Sequence, residues 1–355
     1  MDVNNPWYQV LLGIPGIADW QQTKLRFPAI AGFYNQDHNR FFQEQPRFDF
    51  IRFNDFNPLS GSRKNRLIGC PNPAMSTVHR HFIRYLRLIG PRPVFSTGCR
   101  PGTSIVKDVA RHRHSQLIYA TDLKDAFQNV RLDQLVEVLA DLHPDPLREN
   151  WTTPIRQFLE RYCFSDRVPG LILGSPSSPD LFNLYADRLI DQPLSQRLNL
   201  SVSAQADNRP ESNETPLTFS RYLDDLKFSS LGRIKQSQWE EIRRQIRQVV
   251  NQAGFQVNHP KSKVLDLTRG SVILNGIGLE YGGRLFLPRG HLRETRRLID
   301  QALNQNQLNP KDKEVLVVRG RMQMFWQIAR KNTQPPNGTE QMLIDHYRLF
   351  QNRFG

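Results

Sequence analysis

The segment Arg221-Tyr222-Leu223-Asp224-Asp225-Leu226-Lys227-Phe228 places the strongest constraint on the fold. The stretch from Thr218 to Phe228 reads as two short strands meeting at Leu223-Asp224-Asp225. In a continuous strand neighbouring side chains point to opposite faces, so only a turn brings both carboxylates toward one site. There they repel each other unless a cation lies between them, and a hard divalent ion such as Mg²⁺ suits oxygen ligands. A second element repeats the theme. Leu117-Ile118-Tyr119-Ala120 reads as a buried strand that runs into Thr121-Asp122. Were Asp122 to arrive from a neighbouring strand, three carboxylates could hold two metals about 4 Å apart, one to activate an attacking hydroxyl and one to stabilise a leaving group. Alone, an Asp-Asp pair is ordinary solvated surface and an Asp after a strand an ordinary cap; the joint occurrence gives the reading its weight.

A chain of 355 residues has room for two or three subdomains around a substantial core. Residues 1–60 are rich in aromatics, from Trp7 and Tyr8 to Phe53 and Phe56, without a clear period, and read as an N-terminal extension. A turn at Pro58-Leu59-Ser60-Gly61 leads into the basic run Arg63-Lys64-Asn65-Arg66. The apolar spacing of Val78, Phe82, Tyr85, Leu86 and Ile89 predicts a helix, closed by Pro91 and Pro93. Another helix is expected from Leu132 to Leu142, and one that Pro179 begins with Ser178 as its cap. Ser201 to Pro216 reads as an exposed polar loop. Ser237 and Glu240 read as a capping box opening an amphipathic helix that Gly254 ends. From Phe286 onward the pattern is helical, near 289–304, 313–330 and 339–352, with a turn at Pro335-Pro336-Asn337-Gly338.

Lys and Arg number 48 against 34 Asp and Glu, a net charge of +14 that favours a polyanionic partner such as nucleic acid. The three cysteines, Cys70, Cys99 and Cys163, lack metal-ligand spacing and read as thiols of a reducing compartment. No apolar run approaches the roughly 20 residues of a spanning helix, and the N-terminus shows no basic region ahead of an apolar one, so a cytoplasmic location without membrane contact is expected.

From about residue 60 to residue 330 these segments resemble, in order, the blocks of reverse transcriptases. Tyr222-Leu223-Asp224-Asp225 resembles the family's Tyr-x-Asp-Asp box, and Asp122 to Phe127 the motif supplying the other metal-binding Asp. The resemblance implies an α+β right-hand polymerase: fingers over 61–115, a palm of antiparallel sheet flanked by helices over 116–285 with an insertion about 145–170, and a helical thumb over 286–355. It implies Asp122, Asp224 and Asp225 as ligands of two Mg²⁺ ions, or Mn²⁺ in their place, with the Leu123 carbonyl as a further ligand. Phe127 would lie under the sugar of the incoming nucleotide, beside Asp125 and Ala126, and clash with a 2′-hydroxyl.

Gly174-Ser175-Pro176, with Asn183 behind it, resembles the motif that supports template and nucleotide, Gly permitting close backbone approach to the substrate. The family's usual Gln before this Gly is Leu173 here. Lys261, seven residues after Gly254, resembles the general acid for the departing pyrophosphate. Arg63, Lys64 and above all Arg66 match a basic hairpin that grips the triphosphate. Leu274-Asn275-Gly276 looks like the hairpin that holds the primer, and with Tyr222 is expected to touch nucleic acid. In the helix after it Arg289, Arg293, Arg296 and Arg297 offer cations to duplex phosphates.

The box and the Ser175-Pro176-Ser177-Ser178-Pro179 stretch look most like bacterial retron-type and defence-associated enzymes. Asp108-Val109-Ala110-Arg111-His112 departs from the retron Asn-Ala-x-x-His, and Leu274-Asn275-Gly276 from Val-Thr-Gly. The expected function is RNA-directed DNA synthesis from dNTPs on an RNA template with a DNA or RNA primer, in a setting that includes a dedicated non-coding RNA and an effector protein. The alternatives are template-independent or self-primed DNA synthesis, and a non-catalytic RNA-binding scaffold.

Overall fold

The computed structural model describes residues 45–56, 63–142, 149–202, 217–305 and 307–355. The turn expected at 58–61 and most of the loop expected at 201–216 lie outside them.

The fold is α+β, as the sequence implied. Strand β1 (Phe48–Phe56) pairs antiparallel with β2 (Arg63–Pro71) as a separate two-stranded ribbon. Within the supposed aperiodic extension, then, residues 48–56 are a strand. Its alternation is masked because apolar side chains fall on both faces of a ribbon, leaving Ile51 and Phe53 half exposed. Helix α1 (Pro73–Ile89) follows, capped by Asn72, whose Oδ1 accepts from the Met75 N–H at 2.8 Å.

Helix α2 (Ile105–Ala110) leads to β3 (Leu117–Asp122). Then come helices α3 (Leu132–Ala140), α4 (Glu149–Tyr162) and α5 (Ser178–Ala186). The cap assigned to Ser178 is displaced: Ser177 precedes the helix, and Ser178 Oγ instead donates to the Ile172 carbonyl at 2.8 Å. A π-turn (Asp187–Asp191) joins α5 to α6 (Gln192–Leu198), and β4 (Leu200–Ser201) follows. Strands β5 (Leu217–Tyr222) and β6 (Asp225–Ser230) form the expected hairpin. Helix α7 (Gln236–Gln252) starts earlier than its supposed capping box. Gln238 Oε1 accepts from the Lys235 N–H at 3.1 Å, two residues ahead of the Ser237–Glu240 frame.

Among the described residues the main sheet has the order β4-β5-β6-β3-β7, with β7 (Lys263–Asp266) at one edge. Strand alternation sorts two cores across it. Tyr119 of β3 joins one core with Phe158, Phe182, Phe219 and Phe228, which α1, α3, α4, α5 and α7 complete. Ile118, its neighbour, joins the other, under a small sheet of β8 (Val272–Leu274), β9 (Ile277–Leu279) and β10 (Leu285–Phe286). Helices α8 (Arg289–Asn304), α9 (Lys313–Ala329) and α10 (Gly338–Phe354) close that second core and follow the expected spans closely. Among the described residues no helix is long and apolar enough to cross a membrane.

Candidate active site

The antiparallel register of β3 and β6 places Asp122 directly opposite Asp225. Asp225 also pairs with Tyr222 across the β5–β6 hairpin, leaving Leu223 and Asp224 as a two-residue loop. Leu223 carries a φ of 55°, at the first central position of that loop, where glycine is usual. Three contacts hold this strained turn. The Leu123 N–H donates to the Asp224 carbonyl at 3.0 Å, and Arg221 Nη1 donates to the Leu223 carbonyl at 3.1 Å. Gly98 packs so closely that an added Cβ would stand 2.8 Å from the Leu223 nitrogen.

Arg221 itself was read only as part of the motif. It is fully buried and bound to Asp191: Nε and Nη2 reach the two carboxylate oxygens at 2.8 Å. Asn183, expected to touch nucleic acid, is buried as part of the same anchor. Its Oδ1 accepts from Arg221 Nη1 at 3.0 Å and from Ser96 Oγ at 2.8 Å, and its Nδ2 donates to the Gly98 carbonyl at 2.9 Å. The signal in the sequence was an arginine in a strand whose other residues are apolar or small.

A cleft of about 450 Å³ opens over the carboxylates, lined by Arg66, Asp122, Leu123, Asp125, Ala126, Phe127, Leu173, Asp224 and Lys261 among others. Residues scattered over nearly 200 positions thus meet on one cleft wall, several of them among those that the resemblance assigned to a nucleotide. Asp225, opposite Asp122 in the sheet, is not among the lining residues. Burial and then repulsion by Asp122 raise the pKa of Asp224 from its ordinary value. Burial, then Asp224 and Asp122, push Asp225 up to about 6, with the Lys227 ammonium opposing. The three acids therefore sense one another as like charges, which calls for a cation.

Lys261 Nζ stands 2.8 Å from Asp122 Oδ2, and Asn258 Nδ2 donates to the same oxygen at 3.1 Å. That hydrogen bond, first, raises the Lys261 pKa. Asn258 also binds the Asp122 carbonyl through its N–H at 2.8 Å, a role the sequence did not show. Among the described residues no three His, Cys, Asp or Glu stand as a ready ligand group. The donor set nevertheless fits a hard cation, being all carboxylate oxygen and mutually repulsive, with Asp122 and Asp224 on the cleft wall.

Phe127 forms part of the cleft wall and stacks on buried Phe182, ring centroids 5.1 Å apart. Asp125, at φ 47°, supplies the tight turn before it, its carbonyl accepting from the N–H of Gln128 at 3.0 Å. Arg66 reaches the cleft from β2, and its charge acts on Asp224. The side chains of Arg63 and Lys64, earlier on β2, lie outside the described residues.

The Gly174 segment departs from expectation. Gly174 has φ 92°, and an added Cβ would meet the Gly69 carbonyl oxygen at 2.6 Å. The close approach is to strand β2, and the Gly69 N–H donates to the Leu173 carbonyl at 2.8 Å. Ser175 is buried 3.5 Å from the ring of His79, while Pro176 is exposed. Leu173 takes the place on the cleft wall. Tyr222 is half-buried beside the turn. Asn275 and Gly276 form the β8–β9 turn, both with positive φ. Arg289, Arg293 and Arg297 are exposed one turn apart on α8, with Arg297 held by Glu294 at 2.7 Å and Arg296 half-buried.

Residues 57–281 match the family described as "Reverse transcriptase (RNA-dependent DNA polymerase)". The chain is 25% identical over 171 residues to the retron Ec83 reverse transcriptase of Escherichia coli, covering 46% of this chain and 48% of that protein. It thus spans about half the length of that relative. Solved structures similar to it include telomerase from Candida albicans in complex with a fragment of telomeric RNA (TM-score 0.46, 10% identity, 91% of this chain and 60% of that one). Apo telomerase from Candida tropicalis is another (TM-score 0.45, 10% identity, 82% and 60%).

Proposed function

Because this chain belongs to the reverse transcriptase family, we propose that its cleft copies RNA into DNA by two-metal nucleotidyl transfer. The observation that carries the proposal is the register of β3 and β6, which sets Asp122 opposite Asp225 beside the Asp224 turn.

Asp122, Asp224 and Asp225 would hold two Mg²⁺ ions, with Mn²⁺ able to replace them and the Leu123 carbonyl as an added ligand. Such ions supply activation of the primer 3′-hydroxyl and stabilise charge on the departing pyrophosphate. The chain's own groups do the rest. Arg66, with Arg63 and Lys64 on the same strand, binds the triphosphate. Phe127, fixed by Phe182, sits at the sugar and excludes a 2′-hydroxyl. Lys261, already protonated and within reach of the acids, donates its proton to the leaving oxygen.

In this reading the β1–β2 ribbon and α1 serve as fingers, the five-stranded sheet as palm, and α8 to α10 as thumb. Arg289, Arg293 and Arg297 face the phosphates of the product duplex. The net charge of +14 suits an RNA partner. The partial likeness to a retron enzyme extends the reading to a dedicated structured RNA as template and to a defence setting, which sequencing of copurifying RNA and DNA checks.

The direct test is extension of a DNA primer on an RNA template with dNTPs and Mg²⁺. The product sequence should follow the template, and Asp224→Asn should abolish synthesis. A wild-type protein that adds no dNTP under any metal or template would refute the reading.

A further inference from the structure

Behind the carboxylates runs a buried polar chain that the proposed reaction does not use. Lys227, two residues past Asp225 on β6, is 1% exposed. Its ammonium stands 2.9 Å from Asp108 Oδ2 on α2, and the other Asp108 oxygen accepts from Thr97 Oγ1 at 2.7 Å. A buried lysine is tolerated only when paired, and Asp108 satisfies that need. The β8–β9 turn gives Lys227 a second partner. The amide of Asn275 fits its surroundings in one orientation, with Oδ1 accepting from Lys227 Nζ at 2.9 Å and Nδ2 donating to Asp225 Oδ2 at 3.3 Å. Turned over, its oxygen would face the Asp225 carboxylate and its amino group the Lys227 ammonium, with only a 3.5 Å bond to Asp108 Oδ2 in return.

We propose that Lys227 is a positioning residue for nucleotide addition: with Asn275 it ties the Asn275–Gly276 turn to Asp225, so that the strand end resting on that turn is held in register with the reacting carboxylate. This rests on the polymerase reading above. It reassigns Asn275, whose side chain points inward to the acids. A lysine serving stability alone needs only Asp108, and the turn alone needs only a residue that accepts positive φ. Asn275 has φ 49°, a demand that glycine meets at least as well. The amide and the turn are therefore separable.

The experiment uses Asn275→Gly, which keeps the turn and removes the amide, and the paired Lys227→Met/Asp108→Asn, which removes the tie without leaving a buried charge alone. Single-nucleotide addition to a bound primer is measured for each, with thermal unfolding alongside. Both should lower kcat by about tenfold or more, the scale of one charge-assisted hydrogen bond. KM for dNTP should stay within about threefold, and the combined variant should lose little beyond either alone, as expected of one coupled unit. Wild-type kcat in both variants, or losses that only track the folded fraction, would overturn the inference while leaving the polymerase reading intact. An inactive wild-type protein would instead sink both.

Discussion

Arg221 and Asp191 form a fully buried ion pair, closed by two guanidinium nitrogens at 2.8 Å, and the same guanidinium holds the carbonyl of Leu223 at the tip of the acidic turn. One side chain thus links the core to the loop carrying Asp224. Lysine cannot reproduce this fork. Arg221→Lys keeps the charge but loses part of the fork, and should destabilise the protein by about 1–3 kcal/mol, the usual consequence of leaving buried acceptors unsatisfied. Urea unfolding checks it, and a change under about 1 kcal/mol would contradict the anchoring role.

Phe127 lies between the cleft and the buried ring of Phe182. Phe127→Val should open space at the sugar while leaving a β-branched apolar residue against Phe182. The preference for dNTP over NTP in kcat/KM should fall by about 10–100-fold, the range for removing steric bulk from an apolar pocket. Unchanged selectivity would move the sugar contact elsewhere.

His112 is buried between Ser220 and Ser229, its two ring nitrogens 2.8 and 2.7 Å from their hydroxyls. Burial, opposed by Asp108, lowers its pKa from 6.5 to about 3, so the folded protein keeps it neutral. Between those values the unfolded chain binds the extra proton. The stability it contributes is complete above pH 6.5 and is lost as pH falls toward 3. His79, lowered to about 4 by burial, adds to the same slope. In His112→Gln the proton uptake on unfolding between pH 4 and 6 should drop by about one, read from the slope of stability against pH. An unchanged slope would show that His112 titrates alike in both states.

Lys261 competes with any cation for Asp122 Oδ2. Lys261→Ala should slow nucleotide addition by about 10²-fold, as expected for loss of a general acid. The half-saturating Mg²⁺ concentration should fall or hold steady. A variant that adds nucleotides at the wild-type rate but needs far more Mg²⁺ would contradict both roles.

The acidic turn and β3 were legible because each carries a local signature, paired acids between apolar strands and an acid ending a strand, whereas Phe127 and Lys261, which share the cleft wall, were singled out only through the family resemblance. The three C-terminal helices were legible from spacing alone. Strand β1 was not, because a two-sided ribbon spreads apolar residues over both faces and shows no period. Neither were the partners of Asn183 and Arg221. Which polar residue turns inward depends on long-range pairing with Asp191, Ser96 and Gly98, and nothing local to position 183 reports it. Gly174 was correctly singled out but for the wrong neighbour: sequence shows that backbone must come close there, not that strand β2 is what comes.

The central claim is that Asp122, Asp224 and Asp225 act as one metal site. Its most direct test counts Mn²⁺ by electron paramagnetic resonance on the protein bound to an RNA–DNA primer–template lacking a 3′-hydroxyl, with the matching dNTP present. Two ions are expected for the wild-type protein, and Asp122→Asn, Asp224→Asn and Asp225→Asn should each lose at least one of them. Wild-type Mn²⁺ binding in all three variants would contradict the account.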